Sequence, residues 1–262
     1  MRAPFFVTSA AGTADLLAAE LAALGIAGAR EFQGGVACEG GLVDAYRACL
    51  ESRIALRVLW QVARFPVADA PALYAGVAAV DWAAHMDASG TLAVDFSGAV
   101  PGITHTQFGA QRVKDAIVDQ FRERTGTRPS VDRESPTLRI NAHAARGAMT
   151  LAIDLSGESL HRRGYRGGAG AAPLKENLAA AILVRAGWPA IAAAGGSFVD
   201  PMCGSGTLPI EAALIAADIA PGLLRPGFGF ERWKLHDADA WASVRAAAEA
   251  RRQVALLTPG RI

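Results

Sequence analysis

The sequence predicts an α/β chain whose front half is of the α+β kind, on three observations. Over the first 65 residues the apolar periodicities follow the order βαββαβ, a second strand-and-helix unit runs on to about residue 155, and Gly195 to Ala220 reads as strand, glycine turn and helix. With 262 residues, 52% of them hydrophobic, the chain can build one large core or two to three small ones. The segments expected are 1–65, 66–155 and 156–262.

Taken in order, Phe5 to Thr8 is a strand, and Thr13 to Leu24 is a helix with Leu16, Leu17, Leu21 and Leu24 on one face and Gly25 closing it. Arg30 to Gln33 and Val36 to Glu39 form a hairpin across Gly34-Gly35; Leu42 to Leu50 is a helix and Leu56 to Phe65 a strand. This is the order of a ferredoxin-like fold, and with no paired acids or motif in it a scaffolding role is expected. Pro66 to Pro71 reads as a linker. A helix near Ala72 to Ala79, a strand at Thr91 to Phe96 and a helix from Thr106 to Arg124 follow, the last with Val113, Ala116, Ile117 and Phe121 on one side and Gly126 at its end. Strands Thr137 to Asn141 and Met149 to Leu155 flank a turn at Arg146-Gly147. Pro173 opens a helix that runs through Leu178, Ile182 and Leu183 to Gly187. Ser197 to Val199 is a short strand, Ile210 to Ile219 a helix, Pro221 to Trp233 irregular, Asp239 to Gln253 a helix, and Val254 to Leu257 at most the start of a strand.

Composition narrows the classes. Lys+Arg 26 against Asp+Glu 25 gives a formal charge of +1, so any nucleic-acid surface is local. Only Lys114, Lys175 and Lys234 are lysines, which makes 23 of the basic residues arginine, the side chain whose flat fork suits phosphates and bases. Cys38, Cys49 and Cys203 have no metal-ligand spacing and are too few for a disulfide framework, which points to a reducing cytoplasm; the five histidines are scattered, so no metal is expected. No segment has the length and apolarity of a membrane span, and none is expected.

The chemistry-bearing stretch is Asp200-Pro201-Met202-Cys203-Gly204-Ser205-Gly206-Thr207. In an open α/β sheet the ligand lies beyond the carboxyl ends of the strands, where glycines let the backbone approach it and the next helix offers free N–H groups. A dinucleotide fingerprint would want glycine at position 209, which is Pro209, and a phosphate loop would want Gly-Lys-Ser/Thr, which is absent. With an acid at its start and no lysine, the turn suits a ligand bearing hydroxyls or an ammonium. Asp200 can also cap the turn, and one carboxylate can do both. Cys203 has no neighbouring base in sequence and reads as a small packing residue rather than a nucleophile.

This octapeptide resembles the first motif of S-adenosylmethionine-dependent methyltransferases, in the version found in RNA guanine-N2 methyltransferases. The resemblance implies an incomplete Rossmann-like class I methyltransferase domain in the last segment. It also implies S-adenosylmethionine as cofactor, held by Asp200, Pro201, Cys203, Gly204, Ser205, Gly206 and Thr207. In that family a segment like Arg163-Gly164-Tyr165-Arg166 and Ala172 to Glu176 helps close over the cofactor, which carries a binding role to Leu174, Lys175 and Glu176; an ordinary packing helix explains the apolar positions equally well.

Between His105 and Arg146 eight Lys/Arg stand against five acids, a pattern that fits RNA binding and a solvated, Asp/Arg-paired face alike. The layout resembles the THUMP RNA-binding module, delimited in its family at about residues 43–155, and this favours RNA. The RNA-contact candidates are Arg112, Lys114, Arg139 and Arg146, joined by Arg162, Arg163 and Arg166 of the linker, where Tyr165 adds a ring for base stacking. The family implies methyl transfer to the N2 amine of a guanosine in 23S ribosomal RNA. Alternatives are an RNA-binding module with a relic cofactor turn, a transfer-RNA guanine-N2 enzyme, or a DNA amino-methyltransferase. The family orients the amine with an Asp/Asn-Pro-Pro-aromatic loop; here the asparagines are Asn141 and Asn177, neither followed by proline, so no catalytic residue is named. The chain is expected to be the amino-terminal part of a longer enzyme, inactive alone.

Overall fold

A computed structural model describes residues 2–166 and 174–257. Pro173, expected to open a helix, lies outside them. In chain order the elements are β1 (Arg2–Thr8), α1 (Ala14–Ala23), β2 (Arg30–Phe32), β3 (Gly35–Gly41), α2 (Leu42–Glu51), β4 (Arg57–Pro66), α3 (Ala70–Ala78), β5 (Thr91–Gly98) and α4 (Thr106–Thr125). There follow β6 (Ser130–Val131), β7 (Leu138–Ala145), β8 (Ala148–Asp154), α5 (Glu176–Arg185), α6 (Trp188–Ala193), α7 (Thr207–Ala216) and α8 (Ala238–Leu257). The chain divides into two compact units, one made of Met1–Val58, Glu158–Phe228 and Asp237–Ile262, the other of Leu59–Gly157 and Gly229–His236.

In the first unit β3 pairs antiparallel with β1 and β2, with Phe5 opposite Cys38 and Phe32 opposite Gly35. The β2–β3 turn is therefore Gln33-Gly34, one residue earlier than expected, and Gly34 takes φ 85°, a value glycine adopts without strain. Leu17 and Leu21 of α1, Phe5 and Val7 of β1, and Tyr46 and Leu50 of α2 are fully buried, the apolar stripe the sequence pattern implies. Glu20 locks α1 to the segment after α2: its carboxylate accepts from the Ser52 hydroxyl at 2.5 Å and the Arg53 N–H at 2.8 Å. A second small core joins Leu183 of α5, Trp188 of α6 and Ala212 of α7.

In the second unit the strand order is β4-β8-β7-β5-β6. β4 with β8 and β8 with β7 are antiparallel; β5 runs parallel to both β7 and β6. The β7–β8 turn is Arg146-Gly147 as expected, and φ 52° and 73° at its two residues are the signature of the two-residue turn whose twist matches the strands. α4 ends at Gly126 with φ 72° and starts under the His105 ring, whose Nδ1 accepts the Phe108 N–H at 3.0 Å. Gly109 is required by contact: a β-carbon there would stand 2.7 Å from the Phe96 ring.

Two expectations are corrected. Ser197 to Val199 is not a strand; Val199 is 82% exposed, and among the described residues no strand lies beside the segment, so β propensity has nothing to pair with. Val254 to Leu257 is not a strand either but the last turn of α8. Two short elements, β6 and α6, were not expected from the sequence pattern.

Candidate functional site

Without a strand leading into it, the Asp200 turn is held from one side by aromatic packing. Phe198 meets Trp188 edge to face at 5.4 Å, and the Trp188 indole donates to the Ala212 carbonyl of α7 at 2.9 Å. The turn then closes on itself. Asp200 Oδ1 accepts the Met202 N–H at 3.0 Å, the Gly206 N–H donates to the Cys203 carbonyl at 2.8 Å, and the Ile210 N–H to the Gly206 carbonyl at 2.9 Å. Gly204 and Gly206 take φ 54° and 75°, and a β-carbon at Gly204 would meet nothing within 4 Å. Glycine is needed there for backbone conformation and for a bare face. Pro201 to Ser205 are exposed, so the turn presents one carboxylate and a helix amino terminus to solvent. Among the described residues Cys203 has no base beside it, and its thiol reaches the Gly204 carbonyl at 3.9 Å.

On the other side the turn is held by the linker. Arg163 is 1% exposed and Glu211 of α7 is fully buried; Arg163 Nε donates to Glu211 Oε1 at 2.9 Å and Nη2 to the Arg53 carbonyl at 2.7 Å. The same Glu211 oxygen accepts the Tyr165 hydroxyl at 2.9 Å. Burial, and then the neighbouring Glu211 charge, push the Tyr165 phenol well above its ordinary value, so it stays a neutral donor. Arg166 is the next contact. Its Nη2 donates to the Thr207 hydroxyl at 2.8 Å and to the Leu174 carbonyl, and its Nε lies 3.1 Å from Glu176 Oε1. Ser205 Oγ lies 3.4 Å from Thr207 Oγ1. Glu176 is buried, and its Oε2 has no hydrogen-bond partner among the described residues.

Leu174, Glu176 and Thr207 are thus tied together through Arg166, whereas Lys175 is exposed at the start of α5. Arg163 is a correction: its guanidinium is sealed inside the protein and cannot meet a phosphate. Arg166 likewise spends its fork on internal acceptors. Arg162 is exposed and pairs with Glu158 at 3.0 Å. In the second unit Arg112 lies over the Tyr74 ring at 5.0 Å, and Arg146 sits in the β7–β8 turn. Lys114 and Arg139, by contrast, line one cavity of about 620 Å³ with Arg133, which is not among the RNA-contact candidates named from the sequence. Among the described residues there is no cluster of three or more metal-ligating side chains and no helix long and apolar enough to cross a membrane.

The linker also carries a pH signature. His161 is half-buried and crowded; burial, followed by Lys175, Arg162, Arg163 and Arg166, pulls its imidazole down to about 4 from 6.5. The folded state therefore keeps it neutral where the unfolded chain takes up a proton. Between about pH 6.5 and 4 the unfolded state binds more protons, so this group's contribution to stability falls as pH falls. The urea midpoint is expected to drop from pH 7 to pH 5, and a His161→Gln variant to lose part of that slope; equal slopes would show that the imidazole is not the group responsible.

Known proteins align along nearly the whole of this chain. The family described as RlmL ferredoxin-like domain matches residues 4–59, THUMP domain 67–154, and RMKL-like methyltransferase domain 163–258. The ribosomal RNA large subunit methyltransferase K/L of Syntrophotalea carbinolica is 55% identical over 96% of this chain, and that of Pseudomonas aeruginosa 54% identical over 97%. In each case the chain spans 35% of the relative's length. Among solved structures, a predicted N6-adenine-specific DNA methylase from Listeria monocytogenes superposes with TM-score 0.81 at 31% identity, over 96% of this chain and 64% of its own. SMU.472, described as "a putative methyltransferase complexed with SAH", gives TM-score 0.81 at 30% identity, over 95% of this chain and 65% of its own.

Proposed function

We propose that this chain belongs with the ribosomal RNA large subunit methyltransferases K/L and holds S-adenosylmethionine on the Asp200–Thr207 turn for methylation of a guanosine N2 amine in 23S ribosomal RNA. The observation that carries the cofactor reading is the turn itself. It is an exposed bend, bare of side chains at Gly204 and Gly206, with a carboxylate at its start and the amino terminus of α7 at its end, and no lysine that would favour a phosphate. These residues fit the group: Asp200 offers its second oxygen to a ribose hydroxyl or an ammonium, Gly204 lets the ligand lie against the backbone, and the Thr207 end of the turn is fixed by Arg166.

Bound there, the sulfonium supplies an already activated methyl, so the protein's task is placement and exclusion of water. Held by Asp200 to Thr207, the group would supply that methyl to the acceptor nitrogen. None of the 262 residues forms an Asp/Asn-Pro-Pro-aromatic tetrapeptide, so we assign the orientation of the amine to no residue here and propose that this chain alone binds cofactor without turning over. We further assign residues 1–65 to a ferredoxin-like unit, 66–155 to RNA binding and 156–262 to the methyltransferase part, acting in the cytoplasm.

Calorimetric titration with S-adenosylmethionine tests the reading. Asp200→Ala is expected to weaken binding by about 10-fold or more, the ~1.5–3 kcal/mol of a hydrogen bond to a charged group. Asp200→Asn, which keeps an acceptor for the Met202 N–H, separates the ligand role from the turn-capping role. Equal affinity in wild type and both variants would remove the turn as the cofactor site.

A further inference from the structure

The cavity in the second unit lies along a strand edge that its neighbour leaves uncovered. β6 pairs with β5 only at Thr91 and Leu92, and the Asp132 N–H closes on the Leu92 carbonyl at 3.2 Å. Backbone groups alternate sides along a strand, so Val94 and Phe96 turn their N–H and C=O toward the same edge as Leu92, where no strand lies among the described residues. Leu92 to Phe96 form the floor of the cavity, α4 forms one wall with Gln107, Gln111 and Lys114, and Arg133 with Arg139 forms the other.

The charge of this cleft favours an anion. Three cations face it against one acid, Asp95. Arg139 is already engaged: Nη1 donates to Asp95 Oδ2 at 3.3 Å and Nη2 to the Arg133 carbonyl at 2.6 Å. It therefore cancels the acid and fixes the backbone from which the Arg133 side chain springs. The Arg133 guanidinium is exposed and makes no ion pair among the described residues. Lys114, which also reaches Asp115, stands opposite on α4. The exposed amides of Gln107 and Gln111 add donors and acceptors between them, and the amino-terminal turn of α4 adds its positive end.

We infer that the cleft between α4 and the open edge of β5 takes a single strand of RNA, with phosphates on Lys114 and Arg133 and base edges against the free backbone of Val94 and Phe96. The inference rests on the RNA reading of the preceding section and names its site. At about 620 Å³ the cleft is within the roughly 300–1,000 Å³ of small-ligand sites, room for a nucleotide or two and too small for a duplex. Bases of an unpaired strand can turn their hydrogen-bonding edges inward, which those of a helix cannot.

The test uses the full chain and a fluorescent 12-nucleotide unstructured RNA, with a duplex of the same length and a poly-glutamate peptide as competitors. Arg133→Glu is expected to weaken the single strand by about 10-fold and to flatten the slope of log affinity against log salt by about 0.7, the value for one phosphate contact on a single strand. Lys114→Glu combined with it should weaken binding further, while thermal melting and S-adenosylmethionine affinity stay at wild-type values. Arg245→Glu, an exposed reversal on α8, is the comparison, and a loss there as large as that of Arg133→Glu overturns the site. So does displacement of the strand by poly-glutamate or preference for the duplex. If wild type binds RNA and the variants bind it equally, the cleft assignment falls and the RNA reading stands; if wild type binds no RNA, both fall.

Discussion

Arg163→Met is expected to destabilise the protein by about 3–5 kcal/mol, because it leaves the buried Glu211 carboxylate without its cation. Glu211 is fully buried and accepts only from Arg163 and the Tyr165 hydroxyl through one oxygen, while its other oxygen has no partner among the described residues. Methionine fills most of the space but supplies neither charge nor donor, and the Arg53 carbonyl loses its acceptor role as well. Pairing the change with Glu211→Leu removes the stranded charge and should recover much of the loss, since well-packed apolar replacements of both partners are often neutral. Urea unfolding of the single and double variants reads both outcomes. A single-variant loss under about 1 kcal/mol would mean that the pair is solvated and the interior reading of the linker is wrong.

Trp188→Ala is expected to cost a similar ~3–5 kcal/mol, the range for removing a large buried ring. Trp188 belongs to the small core joining α5, α6 and α7, and it meets both Phe198 and the Ala212 carbonyl. Alanine leaves a cavity, removes the indole's bond to the Ala212 carbonyl, and takes from Phe198 its edge-to-face partner. The residues running into the Asp200 turn then lose their anchor, so cofactor affinity should fall along with stability. Trp188→Phe keeps the ring but not the indole N–H and should lose only about 1 kcal/mol, the net worth of one hydrogen bond. Unfolding midpoints together with calorimetry decide it; a Trp188→Ala protein with normal cofactor affinity would show that the turn holds its shape unaided.

Much of this architecture is legible in the residues because the signals are local. The Leu17 and Leu21 stripe, the Gly126 stop and the Arg146-Gly147 turn each encode their structure within a few positions, and the octapeptide at Asp200 carries its own bend. What was missed depends on partners far away in sequence. Ser197 to Val199 has strand composition, but a strand exists only beside another strand. His161 to Arg166 has the makeup of an RNA contact, yet Arg163 is claimed by a glutamate 48 residues on and by a carbonyl 110 residues back. β6 is two residues long, below what periodicity can register, and missing it hid the cleft in which Arg133 joins Lys114 and Arg139.

The first compact unit is assembled from stretches that are far apart along the chain. The amide of Asn177 reaches back to the Ile54 carbonyl across 123 residues, and Arg251 reaches Glu51 across 200. During synthesis, therefore, the opening 58 residues leave the ribosome long before their packing partners exist, and most of the second unit, Leu59–Gly157, is translated in between. Closing such loops precedes any reward from the contacts they make, so the opening segment has to wait, incompletely covered, and its maturation is paced by translation of the later segments.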